Sequence, residues 1–219
     1  MSPEVHAEWA RRVVAEYRSA AAAQELALWL LQVGASPDLV RVAQRTAGEE
    51  LDHAELSAEV LAAAGGMPPG PVHRATLALG RSGGPLEHDV LRVGVELYCV
   101  GETVAVPLFR RMLEGATVPI VRRVLTRILA DEARHRRFGW ELLTALLGGP
   151  DGAELRGVLA AALPGIRARV EAAYGGGSAP VTAEARGWGL LSGAAYEEEL
   201  RRTTQRWYRP RFGAEGLGW

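Results

Sequence analysis

Glu50-Leu51-Asp52-His53 and Glu132-Ala133-Arg134-His135 carry the same pattern, a glutamate followed three residues later by a histidine. Each lies inside a long stretch whose apolar residues recur at helical spacing, and on a helix positions i and i+3 share one face. A chain with 5 histidines and 26 acidic residues produces one such pair by chance often enough. The stronger signal is upstream. Glu25 precedes the first motif and Glu102 the second, by 25 and 30 residues, each in the preceding helical stretch. If each pair of helices turns back through a short loop, the upstream glutamate comes level with the motif. The spacing therefore predicts two antiparallel helical hairpins, each presenting two glutamates and a histidine.

Punctuation along the chain agrees. Helical periodicity runs from Pro3 to Val33 and stops at Gly34. Ser36-Pro37 opens a second helix that ends at Ala64-Gly65-Gly66. From Gly65 to Pro85 the chain holds GGMPPGP and GRSGGP and reads as a connector. A third helix is expected from Leu86 to Glu114, kinked at Pro107, and a fourth from Pro119 to Leu147, before Gly148-Gly149-Pro150. The fold class is all-α: a four-helix bundle over residues 3–147, two hairpins joined by one long crossover, the connectivity of ferritin-like folds. Residues 151–209 are read as a C-terminal helical extension. It comprises two pieces broken at Pro164, a Gly175-Gly176-Gly177-Ser178 linker and a final helix from Thr182 to Arg209. A single domain over 1–219 is expected.

Composition narrows the function. The 25 basic side chains, all arginine, nearly cancel the 26 acidic ones and are dispersed, so binding to nucleic acid or to an anionic membrane is not expected. Cys99 is the only cysteine, which excludes an intramolecular disulfide and cysteine-based zinc or iron–sulfur sites. Met1 to Trp9 holds two acids and no apolar run, unlike a secretory signal. The most apolar stretch, Ala20 to Ala35, contains Gln24 and Glu25. A cytoplasmic protein is expected.

Glu25 lies within AAAAQELALWLL and Glu102 within LYCVGETVAVPLF, where burying an uncompensated charge costs several kcal/mol. A cation would compensate it. The candidate ligands are Glu25, Glu50, His53, Glu102, Glu132 and His135. Four carboxylates and two neutral imidazoles balance two divalent ions, and oxygen and nitrogen donors without thiolate suit iron or manganese. Glu49 and Asp131 precede the motif glutamates and are placed to accept hydrogen bonds from the ligand histidines, or else to be solvated helix charges.

These residues resemble the ferritin-like di-iron carboxylate superfamily, which includes ferritins, rubrerythrins, ribonucleotide reductase small subunits, bacterial multicomponent monooxygenases and aldehyde-deformylating oxygenases. Asp131-Glu132-Ala133-Arg134-His135 is similar to the Asp-Glu-x-Arg-His signature of the monooxygenases. Glu49-Glu50-Leu51-Asp52-His53 departs from it at the first and fourth positions. The resemblance, over residues 10 to 147, implies Glu50 and Glu132 as bridging ligands, with Glu25 and Glu102 terminal. The expected cofactor is two iron ions, or manganese, or a mixed manganese–iron pair. The expected activity is an oxidase or oxygenase using dioxygen, an unidentified small-molecule substrate and an external electron donor, in a possible homodimer; iron oxidation and storage is the alternative. Tyr98, one turn before Glu102, is the candidate catalytic side chain, with core packing as its competing reading. Trp29 and Phe138 are read as core residues beside the site.

Overall fold

The structure is a computed structural model describing residues 2–174 and 180–219. The expected linker at Gly175-Gly176-Gly177-Ser178 lies outside the described residues. Among these the chain is all-helical, without strands: α1 Pro3–Gln32, α2 Pro37–Ala63, α3 Leu86–Val93, α4 Glu102–Gly115, α5 Pro119–Gly148, α6 Gly152–Tyr174, α7 Ala183–Gly187, α8 Gly193–Thr203 and α9 Arg209–Ala214. A single 3-10 turn, Arg74–Thr76, interrupts the expected connector. Among the described residues no helix is long and apolar enough to cross a membrane.

Two compact units divide these elements. The first comprises residues 1–80, 109–131 and 181–190. Here α1 and α2 form an antiparallel hairpin. Gly34 makes its turn at φ +70°, a conformation that costs glycine least, and Pro37 occupies the first turn of α2, where its missing N–H is no loss. At the far end of the hairpin His6 Nε2 reaches the Ala64 carbonyl at 2.7 Å. Trp9, fully buried, donates to the Trp188 carbonyl at 3.0 Å and so ties the segment around α7 to α1. Arg12 is buried between the Trp9 and Phe109 rings, with its guanidinium 5.2 and 5.4 Å from their centres. Glu8 supplies its counter-charge at 3.0 Å. Burial pushes the Glu8 carboxyl up, but Arg12 and Arg11 outweigh it and hold the group below its ordinary value.

The second unit comprises residues 81–108, 132–180 and 191–219. Between α3 and α4 the helix widens into a π-helical stretch, Gly94–Gly101, and a second one, Thr204–Tyr208, joins α8 to α9. Tyr208, fully buried in the second, donates to the Val100 carbonyl of the first at 2.8 Å. Alongside, α5 approaches so closely that a Cβ on Gly139 would stand 2.4 Å from the Tyr98 carbonyl carbon. Cys99 uses that proximity to donate its thiol to the Gly139 carbonyl at 3.0 Å, and burial pushes the thiol up, keeping it protonated. Trp140 donates to Thr103 at 3.0 Å, and His88 of α3 reaches Glu154 of α6 at 2.8 Å.

Two stretches of the C-terminal extension depart from expectation. The helix α6 runs unbroken through Pro164. The carbonyl that this proline leaves without its helical donor belongs to Ala160, an exposed residue, where an unpaired carbonyl costs less than in the core. The expected final helix is instead divided. Gly189, at φ +83°, ends α7, and Ser192 starts α8 by accepting the Ala195 N–H at 3.3 Å. Pro107 lies inside α4 without ending it.

Candidate metal centre

On α2, Glu50 and His53 stand one turn apart and are almost wholly buried, at 2 % and 0 % exposure. His53 Nδ1 lies 3.5 Å from Glu50 Oε2. The other ring nitrogen, Nε2, is 3.1 Å from Asp131 Oδ2 on the first half of α5. Arg127 donates from Nε to the same oxygen at 2.7 Å, and its Nη2 reaches Asp52 at 3.2 Å. The Asp131 carboxylate is thereby charge-balanced and accepts the Nε2 proton, which leaves Nδ1 with its lone pair on the Glu50 side. A carboxylate that fixes an imidazole tautomer in this way is the usual support behind a metal-binding histidine. Glu49 is half-buried and adds its charge to the field at Arg127.

A third acid joins this pair. Glu16 of α1, also buried, brings a carboxylate oxygen to the group, so that one ligand atom from each of Glu16, Glu50 and His53 lies within 4.8 Å of the others. Glu25 does not join it. It is half-buried, and its Oε2 accepts the Leu79 N–H of the connector at 2.6 Å. Register explains the difference. Glu16 stands sixteen residues before Gln32, where α1 ends, and His53 sixteen after Pro37, where α2 begins. Glu25 is only seven from the same turn, which at 1.5 Å per residue leaves it ~9 Å closer to the loop than Glu50. Counting from the turn finds Glu16 in the sequence; an apolar setting alone favours Glu25.

In the second unit Glu132 and His135 of α5 repeat the arrangement. They are 2 % and 0 % exposed, with His135 Nδ1 3.3 Å from Glu132 Oε2. Glu102 completes the group, with ligand atoms of all three within 4.8 Å of one another. Glu102 opens α4 immediately after the π-helical stretch, and is half-buried. Its register follows the expectation: it lies thirteen residues before Gly115, and Glu132 thirteen after Pro119. Tyr98, one turn before Glu102, is buried and meets the Phe138 ring edge-on at 5.2 Å. Trp29 is buried on α1.

The structure thus contains buried glutamate–histidine clusters that could hold metal. Two nitrogen or oxygen donors bound to one ion at ~2.1 Å stand roughly 3.0–3.4 Å apart. The Nδ1–Oε2 separations of 3.5 and 3.3 Å are already close to that range. Carboxylates and imidazoles as buried as these are costly to leave without a cation, so the donor set and its setting both fit a divalent ion. No protein-family model matches this chain, and neither does any curated protein or solved structure.

Proposed function

We propose that the two triads, Glu16–Glu50–His53 and Glu102–Glu132–His135, each hold a metal ion, as in the di-iron carboxylate proteins of ferritin-like fold, and that the protein is an oxidase or oxygenase using dioxygen. The observation that carries this reading is the duplicated glutamate–histidine pair, buried in both copies, with its imidazole nitrogen facing the carboxylate oxygen at 3.5 and 3.3 Å. Glu16 takes the ligand position that the sequence alone assigns to Glu25, and Glu50 and Glu132 would each be a ligand in its own triad.

The metal pair, iron first and manganese or a mixed pair otherwise, would supply the one-electron chemistry that dioxygen requires. The chain's own groups do the rest. Four carboxylates and two neutral imidazoles match the charge of two divalent ions, so the reduced site is stable in a buried setting. Asp131, backed by Arg127, holds the His53 ring in one tautomer and one orientation. The site's second distinctive feature is the π-helical stretch Gly94–Gly101 leading into Glu102. Such wide turns are rare, sit mostly at functional positions and leave backbone carbonyls with altered partners. They give the carboxylate that follows more freedom of position than a regular helix does.

Metal content by plasma mass spectrometry, after anaerobic loading with ferrous iron, tests the centre. About two ions per chain are expected in the wild type, and a loss in both Glu50→Ala and Glu132→Ala. No bound metal under any loading condition sinks the reading. Oxygen uptake by the reduced, loaded protein then separates the activities. A stoichiometric burst with iron retained and a low-order oligomer in solution supports an oxidase. Continuous uptake with added ferrous iron, in a large cage, supports storage.

A further inference from the structure

The opposite face of the second half of α5 carries a different chemistry. Arg136, Arg137, Trp140 and Glu141 follow one another at helical spacing and, with Trp207 and Arg211 from the C-terminal segment, line a groove of about 600 Å³. That volume is the size of a small-molecule site. Two of its arginines are stacked on its two tryptophans: Arg136 lies 4.7 Å from the Trp207 ring centre, and Arg211 lies 5.2 Å from Trp207 and 4.7 Å from Trp140. The result is an alternating ladder of ring and guanidinium.

From this ladder we infer that the groove binds a small, multiply charged oxyanion, either a phosphoryl compound or a polycarboxylate. A guanidinium whose face is covered by an aromatic ring keeps its N–H edge for a ligand, and that edge matches two oxygens of a phosphate or carboxylate. Arg137 and Arg211 together outnumber the one lining acid, so the groove is positive. Arg137 and Arg211 are exposed and form no ion pair with a described residue, and Glu141, the lining acid, pairs with none of the arginines. Like charges crowded this way repel, and an anion relieves the repulsion. The stacking on Trp140 and Trp207 also holds the Arg211 donor edge in place beforehand, which lowers the ordering cost of binding. Nothing in this inference depends on the metal centre.

Calorimetric titration of the purified full chain at low ionic strength with sodium pyrophosphate, citrate and adenosine monophosphate is the test. At least one of the three is expected to bind at one site per chain. Arg137→Gln and Arg211→Gln should each weaken it roughly 10- to 100-fold, as loss of a charge-assisted hydrogen bond does. Arg169→Gln, whose arginine pairs with Glu96 elsewhere on this unit, should not. The order of the three probes tells whether phosphate, carboxylate or an attached nucleoside is preferred. Arg137 has no structural partner among the described residues, so its variant reports on binding even if Arg211→Gln unfolds. Three outcomes overturn the proposal: no binding of any probe up to roughly 5 mM, binding that both groove variants leave unchanged, or tight binding only of an RNA oligonucleotide with affinity rising with length.

Discussion

His53 Nε2 meets Asp131 Oδ2 at 3.1 Å, and Asp131 directly precedes Glu132 in the second glutamate–histidine motif. The residue that opens one motif thus supports the histidine of the other. If Asp131 sets the His53 tautomer for metal binding, Asp131→Asn should weaken metal affinity roughly 10-fold or more while the helix content stays unchanged. Competition against a calibrated chelator measures this. Unchanged affinity would show that the pair is a helix-packing contact only.

Glu16 and Glu25 are distinguishable by substitution. Glu16→Gln should lower the metal content toward half, because an amide is a poor replacement for an anionic ligand. Glu25→Gln should leave it at the wild-type level, since the amide oxygen still accepts the Leu79 N–H that Glu25 holds at 2.6 Å. The reverse pattern would return Glu25 to the site and remove Glu16.

Asp89 governs part of the acid stability. Although burial pushes its carboxyl up, hydrogen bonds from Arg92, Ser82 and Arg81 prevail and lower it from 3.8 to about 2. A carboxyl whose folded pKa is depressed contributes stability above its unfolded value and loses it as pH falls through the folded one. Asp89→Asn should therefore cost at most about 2 kcal/mol at neutral pH, with partial solvent exposure of the two arginines reducing that figure. The difference from wild type should fade between pH 3.8 and pH 2. Denaturant titrations across that range read it out, and a difference independent of pH would refute the charge-based origin.

Two glycines should respond oppositely to alanine. On Gly139 the added methyl would meet backbone atoms, the Tyr98 carbonyl carbon at 2.4 Å and the Cys99 nitrogen at 2.6 Å, which cannot move aside cheaply. Gly139→Ala is expected to destabilise the protein by about 3 kcal/mol. Gly157 lies inside α6 with nothing within 4 Å of its would-be Cβ. Gly157→Ala should stabilise by about 0.5–1 kcal/mol through helix propensity. Thermal unfolding of the two variants side by side checks both signs.

Removing the half-buried Glu8 carboxylate should be costly. Glu8→Gln leaves Arg12 buried between two aromatic rings without its counter-charge, for which a loss of about 3 kcal/mol is expected. Arg12→Met, tested with it, should recover much of that loss by filling the same space without charge. A denaturation midpoint for Glu8→Gln equal to wild type would count against the pair.

Helix identity, the two hairpin turns and five of the six proposed ligands, all but Glu16, were legible in the sequence. The reason is that these features are local. The apolar period, a glycine at φ +70° after α1, a proline opening α2, and a glutamate three residues before a histidine each depend on residues within one or two turns. Which glutamate of α1 faces Glu50 and His53 depends instead on register, the product of turn length and the packing of two long helices of 30 and 27 residues, and a shift of nine residues replaces Glu25 by Glu16. The continuity of α6 through Pro164 likewise could not be read locally, and although Asp131 was a legible candidate to support a ligand histidine, only the fold selects His53, 78 positions away, as the one it meets. Local preferences specify a helix and the residues it can present. Only the tertiary contacts decide which of them meet.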